Sequence, residues 1–171
     1  MQPITIVVAD QERARRRTCV GLLHAEEGVT VVGEAYHGLT AIAITVRLKP
    51  RILLLDLSLG QGHGVAVLPI IRHKSPRTKV ILLTGRASQA QLLDALAHGA
   101  LGYLETNALR TYLAKAVRMV DAGEAWVPRK MVAKIAERLA HLTFRAEGRQ
   151  GAVRPKSKAP WSNSHGLAQP S

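Results

Sequence analysis

Five short apolar runs are spaced along the chain, and each is followed by a segment in which apolar residues recur at helical spacing. The runs have the length of β-strands and cover residues 4–9, 29–35, 51–56, 79–84 and 101–105. The segments with helical spacing cover residues 12–26, 38–48, 64–73, 88–98 and 108–121. Parallel strands need crossover connections, which are usually helices, whereas antiparallel strands can be joined by tight turns. This pattern predicts an α/β fold, a doubly wound five-stranded parallel sheet with helices on both faces.

The sequence after residue 123 predicts one further helix and then a tail. An amphipathic segment over roughly 128–141 opens with Pro128, a favourable residue in the first turn of a helix. After Phe144 the helical spacing ends, and Gly, Pro, Ser and basic residues predict disorder. The predicted organisation is an α/β domain over 1–123, a linker helix within 124–144 and a basic disordered tail over 145–171.

Composition excludes several classes of protein. The chain has 171 residues, 47% of them hydrophobic, and contains no apolar run of the ~18 residues needed for a membrane helix. Its N-terminus lacks a secretory signal pattern, and the single cysteine, Cys19, excludes an intramolecular disulfide. We therefore expect a cytoplasmic protein that makes no membrane contact.

The net charge of +12 is spread along the chain rather than concentrated. Residues 1–123 hold 15 Lys or Arg against 9 Asp or Glu, and residues 124–171 hold 9 against 3. This distribution argues against one concentrated nucleic-acid-binding element. The densest cluster, "RARRR" at 13–17, lies at the start of a predicted helix, where cations interact unfavourably with the helix dipole. We interpret it as a solvated helix face, with a partner or nucleic-acid patch as the alternative.

Polar residues and a glycine follow four of the five predicted strands. They are Asp10 after the first, Asp56 after the third, Thr84 and Gly85 after the fourth, and Glu105 and Thr106 after the fifth. Ligands of open α/β sheets bind beyond the carboxyl ends of the strands, so these residues mark a candidate site. Two carboxylates there can hold a hard cation such as Mg²⁺. The alternatives are a solvated strand-end acid for Asp56 and a helix-capping acceptor for Asp10.

The first 123 residues resemble the receiver domain of a bacterial two-component response regulator. The resemblance rests on Asp10 after "IVVA", Asp56 in "LLLDL", Thr84 in "ILLTG" and Tyr103 in "HGALGYLE". Beyond them, "AVRMVDAGEAWVP" and "HLTFRAE" are similar to the linker and the opening of the DNA-binding domain in NarL/LuxR-type regulators.

The resemblance implies a flavodoxin-like fold and aspartyl-phosphate chemistry. Asp56 would be the phosphoacceptor for a sensor histidine kinase, in a phosphoacceptor protein rather than a dedicated enzyme. Mg²⁺ would be held by Asp10, by Asp56 and by the backbone carbonyl of Ser58. Thr84 would contact the phosphoryl group, for which Gly85 leaves space, and Tyr103 would be the switch aromatic. The implied partners are the kinase or another protein, with a homodimer as a further arrangement.

The sequence departs from the family pattern at four positions. Gln11 stands where the family has a second acid, so we expect weaker Mg²⁺ binding. Thr106 replaces a lysine that would pair with the phosphoryl group. In the loop after Asp56, Gly60 replaces a proline and His63 stands at a usually acidic position. These changes predict a degenerate receiver pocket.

The C-terminal sequence bears on the output of such a protein. A helix-turn-helix reader needs at least two packed helices, and the residues after Leu142 lack helical spacing and core residues. We therefore expect a truncated DNA-binding domain and no sequence-specific DNA binding. Three functions stay open: phosphorylation-dependent signalling at Asp56, a phosphorylation-independent interaction module, and residual DNA-binding regulation through the basic tail.

Overall fold

The computed structural model describes residues 2–62 and 64–150. Its centre is a five-stranded parallel sheet in the order β2-β1-β3-β4-β5. The strands are β1 (Ile4–Ala9), β2 (Val29–Ala35), β3 (Ile52–Asp56), β4 (Lys79–Thr84) and β5 (Gly102–Glu105). The predicted sheet is confirmed, and each strand begins within one residue of its predicted start.

Helices connect the strands on both faces of the sheet. They are α1 (Arg13–His24), α2 (Gly38–Leu48), α3 (Leu59–Gly62), α4 (Gly64–Lys74), α5 (Gln89–Ala97), α6 (Leu109–Asp121) and α7 (Arg129–Gln150), with a 3-10 turn at Thr106–Ala108. The single turn α3 is absent from the prediction because "LGQG" is too short and too rich in glycine to show helical spacing. His63, one of the predicted departures, lies outside the described residues.

Helix α7 is longer than predicted. It continues to Gln150 rather than ending near 141, so residues 145–150, which were expected to be disordered, are helical. The reason is local propensity, because "RAEGRQ" contains good helix formers and only one glycine. Residues up to Lys134 belong to one compact unit with the sheet, and Ile135 begins a second. The remainder of the predicted tail, 151–171, lies outside the described residues.

Alternate residues of the central strands face the two sides of the sheet. Val7 and Leu53 pack with α2, α4 and α5, whereas Ile6 and Leu54 pack with α1 and α6. All four are fully buried. Strands covered on both faces read as continuous apolar runs, which is why β3 is "ILLLD".

Residues around Trp126 extend the sheet past β5. The Tyr103 N–H donates to the Trp126 carbonyl at 3.1 Å, and the Trp126 N–H donates to the Leu101 carbonyl at 3.0 Å. Gly102 permits this approach, because a Cβ there would lie 2.7 Å from the Trp126 carbonyl oxygen and 2.8 Å from its Cβ. The main-chain groups of this strand are therefore partly paired rather than left as an open edge.

Candidate functional site

Asp10 and Asp56 lie side by side at the carboxyl edge of the sheet. β1 and β3 are neighbours, with Ala9 paired to Leu55, so the acids that follow these two residues are adjacent. Asp10 is fully buried and Asp56 is 2% exposed. Two carboxylates buried this deeply need a cation or several hydrogen-bond donors close by.

Arg15 supplies the positive charge between them. Its Nη2 donates to Asp10 Oδ1 at 2.8 Å and to Asp56 Oδ2 at 2.9 Å. Its Nε donates to Asp10 Oδ2, and its Nη1 donates to Glu12 Oε2 at 2.9 Å. One guanidinium therefore contacts three acids, and two of them are buried.

The interpretation of "RARRR" as a solvated face is wrong for two of its arginines. The side chains of Arg15 and Arg16 are 17% and 14% exposed. Arg16 Nη1 donates to the backbone carbonyl of Asp10 at 2.8 Å, and its Nε donates to Glu34 at 3.1 Å. The unfavourable dipole at the start of α1 is offset by these acids. The sequence did contain a signal of this pairing: a cation in the first turn of a helix is unfavourable unless an acid lies nearby to offset it.

Burial and charge act in opposite directions on this cluster. Burial raises the pKa of Asp10, and hydrogen bonds from Arg15 and from the Glu12 N–H oppose the rise, whereas the charge of Asp56 adds to it. Burial alone would lower the pKa of Arg15, but its hydrogen bond to Asp10 and the charges of Asp10, Asp56 and Glu12 raise the pKa overall. The guanidinium stays charged, as arginine does throughout the ordinary pH range.

The turn after β3 holds the carboxylate of Asp56. Ser58 donates its N–H to Asp56 Oδ1 at 3.0 Å, and its hydroxyl lies 2.8 Å from both carboxylate oxygens. This is the local bonding of an Asx turn. Gly64, at the start of α4, packs on the same turn, where an added Cβ would lie 2.6 Å from the Asp56 carbonyl oxygen. Glycine is required at 64 because helix and strand end approach so closely.

Thr84 and Gly85 line a cavity of about 250 Å³ beside this cluster. Arg15, Ser58 and Arg86 line the same cavity. Asp56 itself is covered, because Arg15 and Ser58 both contact it. The Thr106 hydroxyl oxygen lies 3.6 Å from where a Cβ of Gly85 would be, so Thr106 borders this region. Arg86 was not singled out from the sequence; an arginine next to the predicted phosphoryl-contacting pair was the available signal.

Gln11, Glu105 and Tyr103 do not line the cavity beside Asp56. Gln11 is exposed, and its amide nitrogen lies 3.5 Å from the Ser58 hydroxyl. Glu105 is exposed beside Thr84 in the sheet register. Tyr103 is 5% exposed and lines a separate cavity of about 340 Å³ with Tyr112, Trp126 and others. Burial, followed by the charge of Glu105, raises the pKa of Tyr103.

Sequence comparison identifies the family. The profile of the response regulator receiver domain matches residues 6–118, which contain Asp10, Asp56 and Thr84. The chain belongs to the response regulator receiver domain family. Receiver domains are signalling modules of two-component systems rather than dedicated catalysts, and they interact with sensor kinases and often dimerise.

Named relatives of this receiver are regulators of the NarL/LuxR type. It is 29% identical over 136 residues to the DNA-binding transcriptional activator DevR/DosR of Mycobacterium tuberculosis, covering 80% of this chain and 63% of that protein. It is 32% identical over 131 residues to the oxygen regulatory protein NreC of Staphylococcus aureus, covering 76% of this chain and 60% of NreC. The chain thus spans less than two thirds of the length of these relatives.

Solved structures of receivers show the same fold. The signal receiver domain of the response regulator NarL from Mycobacterium tuberculosis is 30% identical, with a TM-score of 0.69 over 72% of this chain and 100% of that one. A LuxR-family two-component response regulator from Aurantimonas sp. SI85-9A1 is 25% identical, with a TM-score of 0.71 over 81% of this chain and 99% of that one. The flavodoxin-like fold predicted from the sequence is confirmed. No helix within residues 2–62 and 64–150 is both long and apolar enough to span a bilayer.

Receivers generally bind Mg²⁺ at the phosphorylation site, and in this receiver Arg15 lies between the two acids there. Both oxygens of Asp10 and one of Asp56 accept hydrogen bonds from Arg15, and the Gln11 amide nitrogen points at Ser58. Across residues 2–62 and 64–150, no group of three or more His, Cys, Asp or Glu side chains is placed to hold a metal ion. Mg²⁺ takes oxygen ligands in near-octahedral geometry. With Arg15 between the carboxylates, the pocket does not fit that ion.

Proposed function

We propose that this chain relays a two-component signal by accepting a phosphoryl group on Asp56. The observation that carries the proposal is the placement of Asp56 next to a cavity bordered by Thr84, Gly85 and two arginines. In the reaction, a carboxylate oxygen of Asp56 attacks phosphorus of a phosphohistidine. A P–O bond forms, the P–N bond breaks, and the histidine leaves with a proton.

The attacking oxygen is assigned to Asp56 Oδ1. This oxygen contacts only Ser58, whereas Oδ2 also accepts a hydrogen bond from Arg15. Rotation of the Ser58 hydroxyl removes one of the contacts to Oδ1. The bond from Arg15 keeps the other oxygen in position and neutralises charge as the phosphoryl group approaches.

Arg86 is proposed to supply the cation that the family places at position 106. It lines the cavity next to Gly85, and among the described residues it has no hydrogen-bond or ion-pair partner. A guanidinium at the mouth of the cavity can bind two phosphoryl oxygens at once. Thr106 borders the same space and adds only a hydroxyl.

The signal is proposed to leave through β5. Thr84 pairs with Glu105 in the register of β4 and β5, and the Tyr103 N–H bonds to Trp126. A movement of Thr84 toward a phosphoryl group would therefore reach the segment that leads into α7. Partner proteins, including a kinase and a second copy of the chain, would bind the surface formed by β5 and the segment around Trp126.

The output of the receiver is proposed to pass through protein contacts, since the described residues contain no complete helix-turn-helix reader. DevR/DosR is a DNA-binding activator by name, but a helix-turn-helix reader needs two packed helices. In the described part of this chain, α7 is the sole helix after Asp121.

Intact-mass analysis after incubation with acetyl phosphate, with and without Mg²⁺, tests the phosphoacceptor. We expect the wild-type protein to gain the mass of one phosphoryl group and Asp56→Asn to gain none. Asp94→Asn, in an exposed acid on α5, is the matched control and should gain the same mass as wild type. A gain that persists in Asp56→Asn would refute the assignment.

A second candidate function is a phosphorylation-independent interaction module. The observation that favours it is the 2% exposure of Asp56 beneath Arg15 and Ser58. It is selected over the first proposal if no phosphodonor modifies Asp56 and if Asp56→Asn retains its activity in cells.

A further inference from the structure

We propose that Arg15 is the resident cation of the acidic pocket and takes the position that a divalent metal occupies in other receivers. Asp56 chemistry in this chain would then be independent of Mg²⁺. The part of this inference that concerns phosphorylation rests on the proposed function, whereas the part that concerns metal binding stands on the pocket alone.

Arg15 occupies the space between the two acids. It contacts three of the four carboxylate oxygens of Asp10 and Asp56. Its Nη2 donates to both acids, at 2.8 Å to Asp10 and 2.9 Å to Asp56. A metal at this point would have to break all these charge-assisted hydrogen bonds.

The charges of the pocket lead to the same conclusion. The two buried carboxylates carry two negative charges, and Arg15 already neutralises one of them. A divalent ion added beside Arg15 would meet a fixed cation in a site with little water. Arg15 also cannot lose its charge to make room, because guanidinium stays protonated in proteins.

Gln11 and Arg15 change the charge of the pocket in the same direction. Gln11 removes the second acid that would favour a metal, and Arg15, four residues later, adds a positive charge. The Gln11 side chain is exposed, and its amide lies 3.5 Å from the Ser58 hydroxyl without bringing a charge to the pocket. Together these residues exchange an acidic, metal-binding pocket for one that contains its own cation.

Arg16 fixes the start of α1, which carries Arg15. It donates to the Asp10 backbone carbonyl and to Glu34, so this end of the helix is tied to both β1 and β2. The helix backbone would therefore stay in place if the Arg15 side chain left the pocket. The side chain alone would have to rotate, which exposes two unpaired buried acids.

Calorimetric titration of the full chain with MgCl₂ tests the metal-binding part. We expect the wild-type protein to show no saturable binding in the millimolar range. Arg15→Met should show saturable Mg²⁺ binding in that range. Arg17→Met makes the same charge change two residues further along α1. Arg17 is exposed and has no hydrogen-bond or ion-pair partner among the described residues, so this variant should behave as wild type.

Equal Mg²⁺ affinity in wild type and Arg15→Met would overturn the proposal. If Arg15→Met does not fold, Arg15→Gln replaces it, and saturable Mg²⁺ binding by wild type alone is enough to refute the inference. These Mg²⁺ titrations do not involve phosphorylation. They therefore test the role of Arg15 even if Asp56 accepts no phosphoryl group.

The phosphorylation part is tested with wild-type protein and acetyl phosphate, in EDTA and in excess Mg²⁺. We expect rates of mass gain that agree within about twofold, since Arg15 supplies the charge that Mg²⁺ would otherwise supply. A rate that falls by about tenfold or more in EDTA would refute metal independence. Absence of mass gain in both conditions would count against the proposed function instead.

Discussion

Arg15 and Asp10 form a two-point ion pair in which Nε faces Oδ2 and Nη2 faces Oδ1. The pair closes the start of α1 onto the end of β1, because Asp10 also accepts the Glu12 N–H at 2.8 Å. The same guanidinium reaches Asp56 on β3. A side chain of the first helix therefore joins two strand ends, and several consequences can be measured.

Removing Arg15 should destabilise the fold. Arg15→Met leaves Asp10 and Asp56 as adjacent buried acids without a cation, and loss of one partner from a buried pair costs about 3 kcal/mol. Urea denaturation should show this loss in the free energy of unfolding. Arg17→Met, which changes an exposed arginine of the same helix, should stay within about 0.5 kcal/mol of wild type. Equal stability of the two variants would contradict a structural role for Arg15.

Replacing Arg86 should slow phosphorylation without unfolding the protein. Arg86→Met removes the exposed guanidinium at the cavity, and one charge-assisted contact to a phosphoryl group corresponds to about tenfold in rate. Intact mass against time with acetyl phosphate measures it.

Arg77→Met is the control for Arg86, since Arg77 is exposed, has no hydrogen-bond or ion-pair partner among the described residues and lies outside the cavity. If Arg86→Met and Arg77→Met are phosphorylated at the same rate, Arg86 does not contact the phosphoryl group.

Cys19 should make stability fall at alkaline pH. Burial raises its thiol pKa to about 12 from the ordinary 9.0, with a smaller contribution from the charge of Asp10. Between these values the unfolded chain loses the proton while the folded chain keeps it. The contribution is therefore complete below pH 9.0 and is lost as the pH rises toward about 12.

Chemical denaturation across that pH range measures the effect, and Cys19→Ala should show a shallower decline than wild type. In the folded protein at pH 8, Cys19 should also resist aromatic disulfide reagents until denaturant is added. Rapid modification of the native protein would contradict its burial.

An alanine at 102 should detach Trp126 from β5. The added Cβ would lie 2.7 Å from a backbone oxygen, a contact that neither side can relieve by a rotamer change. We expect Gly102→Ala to cost about 2 kcal/mol and to shift the emission of Trp126 to longer wavelength. The measurement uses a Trp161→Phe background, so that Trp126 is the one tryptophan observed.

Gly21→Ala provides the comparison for Gly102→Ala. Gly21 lies within α1, and a Cβ there would meet nothing within 4 Å. This substitution should stabilise the protein by about 0.5 to 1 kcal/mol and leave Trp126 emission unchanged. A Gly102→Ala protein with wild-type emission would show that Trp126 is not held by this contact.

The sheet could be predicted because its information is local. Each strand is an uninterrupted apolar run, and parallel pairing then brings Asp10, Asp56 and Thr84 to one edge whatever the details of packing. The direction of Arg15 depends on how α1 rotates onto the sheet, and the sequence around it shows only a cluster of arginines. The pairing of Trp126 with β5 is a single bridge, and one bridge has no periodicity to recognise. Helix ends such as that of α7 depend on small differences in propensity.

The attachment of Trp126 also sets a length requirement on the chain that follows it. Trp126 is fixed on β5, and Met131 is 2% exposed in the core, where the Gln89 amide lies 3.7 Å from its sulfur. The number of residues between Trp126 and Met131 is therefore fixed by the two contacts. One residue inserted between Arg129 and Met131 would turn Met131 about 100° around the helix axis and away from the core.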